Sequence, residues 1–214
     1  MKRIATKWMG MAVAAMVLLP AAGFAGIIGD WETDLDGWIN WGAVATNMAG
    51  GQTEGVTLGS GALVVAQDGW GQSLAIQLDA AQRVDFMANT TFSIDVSVAA
   101  MAGYTSGWSQ VFAVSMNAPG AGWQDVASGT PINFYWWDGR PDETQTLTID
   151  YSAYRDQISV DPGYVEIIFA LNTGGGAPSQ MYFDNAQLVP EPATIGLLGL
   201  FGVGLLLIRR RFSI

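Results

Sequence analysis

Aromatic rings and carboxylates carry the chemical potential of this chain, because histidine and cysteine are both absent. No Ser-His-Asp triad, Cys-His pair or His-ligated metal can therefore be built. Carboxylates alone could hydrolyse a glycosidic bond, given two of them roughly 5–10 Å apart. With 19 acidic residues some pair will meet that distance by chance, and no Glu-x-Asp-x-x-Glu spacing marks a strand. Gly174-Gly175-Gly176 is not followed by Lys-Ser/Thr, so it is no phosphate loop. The rings offer more. Eight tryptophans lie between residues 26 and 189. Exposed rings stack on the apolar faces of sugars, while buried ones pack and need a partner for their N–H. Trp108 and Trp123 sit in glycine-rich loop contexts, Ser106-Gly107-Trp108 and Gly120-Ala121-Gly122-Trp123. Tyr135 and Trp137 alternate with Phe134 and Trp136 and share a face with Asn133. Trp108, Trp123, Tyr135 and Trp137 are the candidate sugar-stacking residues, and Trp136 belongs with Ile132 and Phe134 in the core.

The elements that position these rings are strands. Phe92, Ile94, Val96 and Val98 alternate with Ser93, Asp95, Ser97 and Ala99, and Val165, Ile167, Phe169 and Leu171 alternate in the same way. Further strands are expected at 62–67, 73–78, 109–116, 145–150 and 181–189, with one short helix at 151–158. Breaks such as Asp68-Gly69, Pro119-Gly120 and Asp161-Pro162-Gly163 separate them. Many short strands with such breaks predict an all-β sandwich or barrel.

Charge narrows the partners. Between residues 26 and 189 stand three arginines, no lysine and eighteen carboxylates, a net charge of −15. Such a surface excludes nucleic acid and anionic lipid as partners. It leaves divalent cations open, for which carboxylates are natural ligands.

The two ends read as addresses. Lys2, Arg3 and Lys7 precede an apolar stretch from Trp8 to Leu19, then Pro20 and the small-residue site Gly23-Phe24-Ala25. This is the pattern of a secretory signal peptide over residues 1–25, cut after Ala25. At the other end Pro190-Glu191-Pro192 is followed by 16 apolar residues, 193–208, and then by Arg209, Arg210 and Arg211. As a helix that run is about 24 Å long, short of a ~30 Å hydrocarbon core. The arginines mark the cytoplasmic side. Residues 190–214 resemble the PEP-CTERM sorting signal, with tripeptide, hydrophobic segment and basic stop in order. That resemblance implies an exosortase-type protease as partner, the general secretion machinery, and attachment to the inner membrane before or instead of tail removal.

A second resemblance covers the ends of the 26–189 domain. Glu32 followed by Asp36-Gly37-Trp38, and the closing Tyr182-Phe183-Asp184-Asn185-Ala186-Gln187-Leu188, resemble jelly-roll carbohydrate-binding and galactose-binding-like modules. The resemblance implies a jelly-roll-like antiparallel β-sandwich whose first and last strands are neighbours. It also implies a structural calcium held by Glu32 and Asp184 with backbone carbonyls. The sequence thus predicts an exported envelope or extracellular-matrix protein that is not an enzyme. Its sandwich is read as a carbohydrate-binding module for polysaccharide. A structural surface or biofilm-matrix protein with no specific ligand is the alternative, and a carboxylate-dependent glycoside hydrolase is the remote one.

Overall fold

The computed structural model describes residues 26–41, 47–67, 69–98, 107–135, 143–174 and 179–189. The signal peptide, Pro190-Glu191-Pro192, the hydrophobic run, Arg209–Arg211, Trp136 and Trp137 lie outside the described residues.

Alternating apolar residues build most of the strands. They are β1 (Gly26–Gly29), β2 (Ile39–Asn40), β3 (Asn47–Gln52), β4 (Ala62–Gln67), β5 (Gln72–Gln77), β6 (Thr91–Val98), β7 (Trp108–Ala118), β8 (Gly122–Ala127), β9 (Ile132–Tyr135), β10 (Glu143–Asp150), β11 (Glu166–Gly174) and β12 (Ser179–Val189). Two helices interrupt them, α1 (Ala80–Ala88) and α2 (Ser152–Arg155). The first sheet runs β10-β6-β12-β4-β3, with β1 also beside β12. The second runs β2-β5-β11-β7-β8, with β9 continuing the β8 side of β7. Every described pairing is antiparallel. This is the expected all-β, jelly-roll-like sandwich. Among the described residues no helix is long and apolar enough to cross a membrane.

The core is the layer between the sheets. Phe92, Ile94 and Val96 of β6 and Phe183 of β12 face Ile167, Phe169 and Leu171 of β11. Phe169 sits centrally, with ring centroids 5.8 Å from Trp38, 5.9 Å from Phe92 and 6.0 Å from Phe183. Each such side chain, fully buried, contributes roughly 1.5–3 kcal/mol. Trp31 and Trp38 are buried here too, 5.6 Å apart, and Trp38 donates its indole N–H to the Ile28 carbonyl. Trp31 has φ +46°, an uncommon backbone for so large a residue. Gly29 makes room for it, since a Cβ there would come within 2.6 Å of the Trp31 ring.

The first and last strands are neighbours, as expected: Gly26 pairs with Leu188 and Gly29 with Ala186. The helices differ from expectation. Residues 80–88 form α1, where no helix was predicted. Asp79 accepts from the Gln82 N–H while Gln82 accepts from the Asp79 N–H, a capping box. The helix expected at 151–158 is only Ser152–Arg155, because the backbone then tightens into Tyr154-to-Gln157 and Arg155-to-Ile158 bonds. Phe86 of α1 stacks on Tyr151 at 4.3 Å, and Tyr151 donates its hydroxyl to the Phe86 carbonyl. Burial pushes the Tyr151 phenol far above its ordinary pKa.

Candidate functional site

Strand alternation sends one set of side chains to the core and the other to the sheet's outer face, where Ala75, Ala113, Ser115, Ile168 and Asn172 are nonetheless buried by their neighbours. In β11 the inward set is Ile167, Phe169 and Leu171, so Glu166, Ile168, Ala170, Asn172 and Gly174 face out. Pairing carries this parity across the second sheet. At one end, Gly174, Trp108 and Tyr135 lie in register. The next outward row is Asn172, Gln110 and Asn133. The middle row is small: Ser73, Ala170 and Ala113. Below it come Ile39, Ala75, Ile168, Ser115 and Asp125, then Gln77, Glu166, Asn117 and Trp123. From the Gly174 row to the Glu166 row is about 27 Å, and β2 to β8 spans about 19 Å. The face is long enough for a polymer.

Rings stand at both ends of this face and in its middle. Trp108 is half-buried, and its indole lies against the Gly174 backbone, where a Cβ would meet it at 2.6 Å. Trp70 stands edge-on to Trp108, ring centroids 5.5 Å apart at 82°. Trp70 is 66 % exposed, Trp123 52 % and Tyr135 41 %. Phe112 is exposed at a bulge, where β7 carries one residue more than β11 between Ala113 and Val111. Trp41 follows β2 and donates its backbone N–H to the Ser73 carbonyl, at the edge of the small middle row.

The polar groups between the rings are fixed by their neighbours. Asn117 donates Nδ2 to Glu166 Oε2 at 2.7 Å, Ser115 donates Oγ to Asp125 Oδ1 at 2.6 Å, and Asn133 donates Nδ2 to the Tyr135 hydroxyl at 2.9 Å. Asn172 accepts from the Gly71 N–H, and the Thr173 N–H reaches the Gly69 carbonyl. These two bonds anchor the loop that presents Trp70. Gly69 and Gly71 adopt φ +114° and +78°, which glycine adopts without strain.

Trp108 and Tyr135 are thus direct cross-strand partners, and Trp123 lies at the far end of the same face. Trp137 is outside the described residues. Trp108 and Trp123, expected in loops, are strand residues, because pairing with β9 and with β7 extends the strands over them. Trp70, Trp41, Phe112, Gln110, Asn172, Glu166 and Asn117 were not singled out from sequence. Gly69-Trp70-Gly71 carries the same glycine-flanked signal that marked Trp108, whereas the bulge hides Phe112.

Glu32 and Asp184 lie away from this face, around the loop over residues 53–61 that crosses the first sheet. Glu32 accepts from the Ser60 N–H and hydroxyl, which holds its carboxyl below the usual range. Asp184 is fully buried; its Oδ2 accepts from the N–H groups of Thr57 at 2.6 Å and Leu58 at 2.8 Å, and its Oδ1 from Asn185. Asp95 beside it takes the hydroxyls of Thr57 and Thr146. Among the described residues no group of three or more His, Cys, Asp or Glu is placed to hold a metal. Glu32 and Asp184 accept N–H groups of the 53–61 loop, donors that a calcium ion would have to displace.

No protein-family model matches the chain, and no curated protein matches it. Solved structures do. A carbohydrate-binding module, CBM28, specific for non-crystalline cellulose, superposes with a TM-score of 0.50 at 16% identity, over 79% of this chain and 97% of that one. The CBM22-1 xylan-binding domain from Paenibacillus barcinonensis Xyn10C gives 0.47 at 13%, over 80% and 100%. The family 11 carbohydrate-binding module of Clostridium thermocellum Lic26A-Cel5E gives 0.43 at 12%, over 80% and 97%. The CBM28 likeness establishes the fold. The chain has the sandwich architecture of a carbohydrate-binding module.

Proposed function

We propose that this protein is an exported, non-catalytic carbohydrate-binding protein whose second sheet holds a polysaccharide chain on its outer face. One observation carries the reading: Trp70, Trp108, Tyr135, Phe112 and Trp123 present their rings on a single sheet face, with amides and carboxylates in register between them. Rings supply stacking surfaces for sugar faces, and Gln110, Asn133, Asn117 and Glu166 supply hydroxyl partners. The small residues Ser73, Ala113 and Ala170 leave the centre of the face low between the rings. The sandwich likeness to carbohydrate-binding modules supports the same reading. The carboxylates on the face accept from Asn117 and Ser115, which suits binding rather than proton transfer.

Export belongs to the proposal. The signal peptide at 1–25 would deliver the domain through the secretion machinery. Pro190-Glu191-Pro192, the 193–208 run and Arg209–Arg211 would hold it at the inner membrane for an exosortase-type protease. Its place is then the cell envelope, surface or extracellular matrix.

Affinity electrophoresis of the full chain against neutral and acidic polysaccharides tests the binding role. Retardation by at least one polymer is expected. Replacing Trp108 and Trp123 by Ala should weaken it about tenfold per ring, on the order of 1.4 kcal/mol each. Equal retardation of the native chain and the variants would overturn the reading and leave a structural matrix protein.

A further inference from the structure

Among the described residues, the charged positions on the outer face of the second sheet are acidic. Its paired positions include two carboxylates, Glu166 and Asp125, and neither lysine nor arginine. Both are held as acceptors, Glu166 by Asn117 and Asp125 by Ser115. The arginines among the described residues serve elsewhere. Arg83 of α1 donates to the Leu78 carbonyl, and Arg155 of α2 donates to the Asn89 carbonyl and to Asp156. Around them the 26–189 domain carries −15.

We propose, resting on the carbohydrate reading above, that this face selects uncharged, hydroxyl-rich polysaccharide chains and rejects acidic ones. A fixed carboxylate accepts a sugar O–H in a charge-assisted bond, stronger than one between neutral groups. A uronate or sulfate group on the ligand brings acceptors but no donor, and it meets no cation among the described residues of the face. It also approaches a domain of the same sign, so encounter is slowed and binding weakened. The rings do not distinguish the two kinds of polymer, since both present apolar sugar faces. Selection therefore rests on Glu166, Asp125 and the surrounding field.

Matched pairs isolate that charge: hydroxyethylcellulose with carboxymethylcellulose, methyl-esterified with de-esterified pectin, and dextran with dextran sulfate. The full chain, in neutral detergent, is titrated with each. At about 0.01 M salt the uncharged member of any pair that binds should bind at least about tenfold tighter. At about 1 M the gap should close to within about threefold, because the screening length falls from roughly 30 Å to roughly 3 Å. The double variant E166Q/D125N should narrow the low-salt gap by about threefold with unchanged thermal unfolding; should it misfold, the native pairs still decide. Equal or tighter binding of the acidic member at low salt overturns the inference while leaving the carbohydrate reading intact. A gap that persists at 1 M also overturns it, since charge would not be its cause. Binding to none of the six polymers overturns both.

Discussion

Thr57 donates its backbone N–H to the Asp184 carboxylate at 2.6 Å, joining positions 127 residues apart in the sequence. The Thr57 hydroxyl also bonds Asp95, so one threonine bridges two buried acids on neighbouring strands. These bonds seat the 53–61 loop on the first sheet. That sheet face is covered by the chain itself, while the second sheet's outer face exposes Trp70, Phe112, Trp123 and Tyr135.

Removing the Asp184 anchor should therefore unseat the loop. Asp184→Ala leaves the Thr57 and Leu58 N–H groups without their acceptor, at a cost of about 2–4 kcal/mol. Thermal unfolding should shift down, and limited proteolysis should cut within 53–61 before anywhere else in the sandwich. Binding to polysaccharide at temperatures below unfolding should persist, because the rings lie on the other sheet.

Acid should act on the same loop through Glu32. The Ser60 hydroxyl first and the Ser60 N–H second lower its pKa. A lowered carboxyl stabilises the fold above its unfolded pKa of 4.5, and the gain is lost as pH falls below that toward the folded value. Asp150 behaves alike, lowered by Ser152 from 3.8. Asp36 has the opposite sign: burial raises it above 3.8, so its contribution is present in acid and lost as pH rises through the folded value. Hydrogen exchange of the Ser60 amide should be slow at pH 6 and accelerate, after correction for intrinsic rates, only below about pH 4.5. Unchanged corrected protection down to pH 2.5 would contradict the Glu32 assignment.

Calcium gives a separate readout. Thr57 and Leu58 N–H groups occupy Asp184 Oδ2, so EDTA should leave the melting temperature unchanged to within about 1 °C. A rise of several degrees on adding millimolar calcium would mean that the ion displaces the loop donors and that Glu32 and Asp184 bind it together.

Gly174 offers the most selective change on the ringed face. A Cβ there would meet the Trp108 ring at 2.6 Å. Gly174→Ala should tilt that indole away from Trp70, changing the near-ultraviolet circular dichroism of the pair. Polysaccharide affinity should fall about tenfold, roughly 1.4 kcal/mol, with the far-ultraviolet spectrum intact. A Trp70→Ala change should lower affinity similarly without moving Trp108.

The sequence made the sandwich legible where one face of a strand is buried. Residues 92–98 alternate cleanly and 62–67 form a short apolar run, and β6 and β4 lie where those patterns put them. Edge strands gave no such signal: β3 is Asn-Met-Ala-Gly-Gly-Gln and β8 carries mostly half-exposed residues, so neither needs a buried stripe. The α1 helix was written in Asp79 and Gln82, but it buries only Phe86 and shows little periodicity. At the site, Tyr135 was readable from its alternation with the buried Ile132 and Phe134. The partnership of Trp108 with Tyr135 and the place of Glu166 beside Asn117 depend on which distant strands pair, and local pattern does not encode that. Phe112 was hidden because a bulge breaks the period of two.

Gly26 and Leu188 face one another across β1 and β12. Both flanks of the domain therefore leave from one pole, their backbones about 5 Å apart. Adjacent ends of this kind let a domain be inserted into a loop of another chain without threading anything across its ringed sheet.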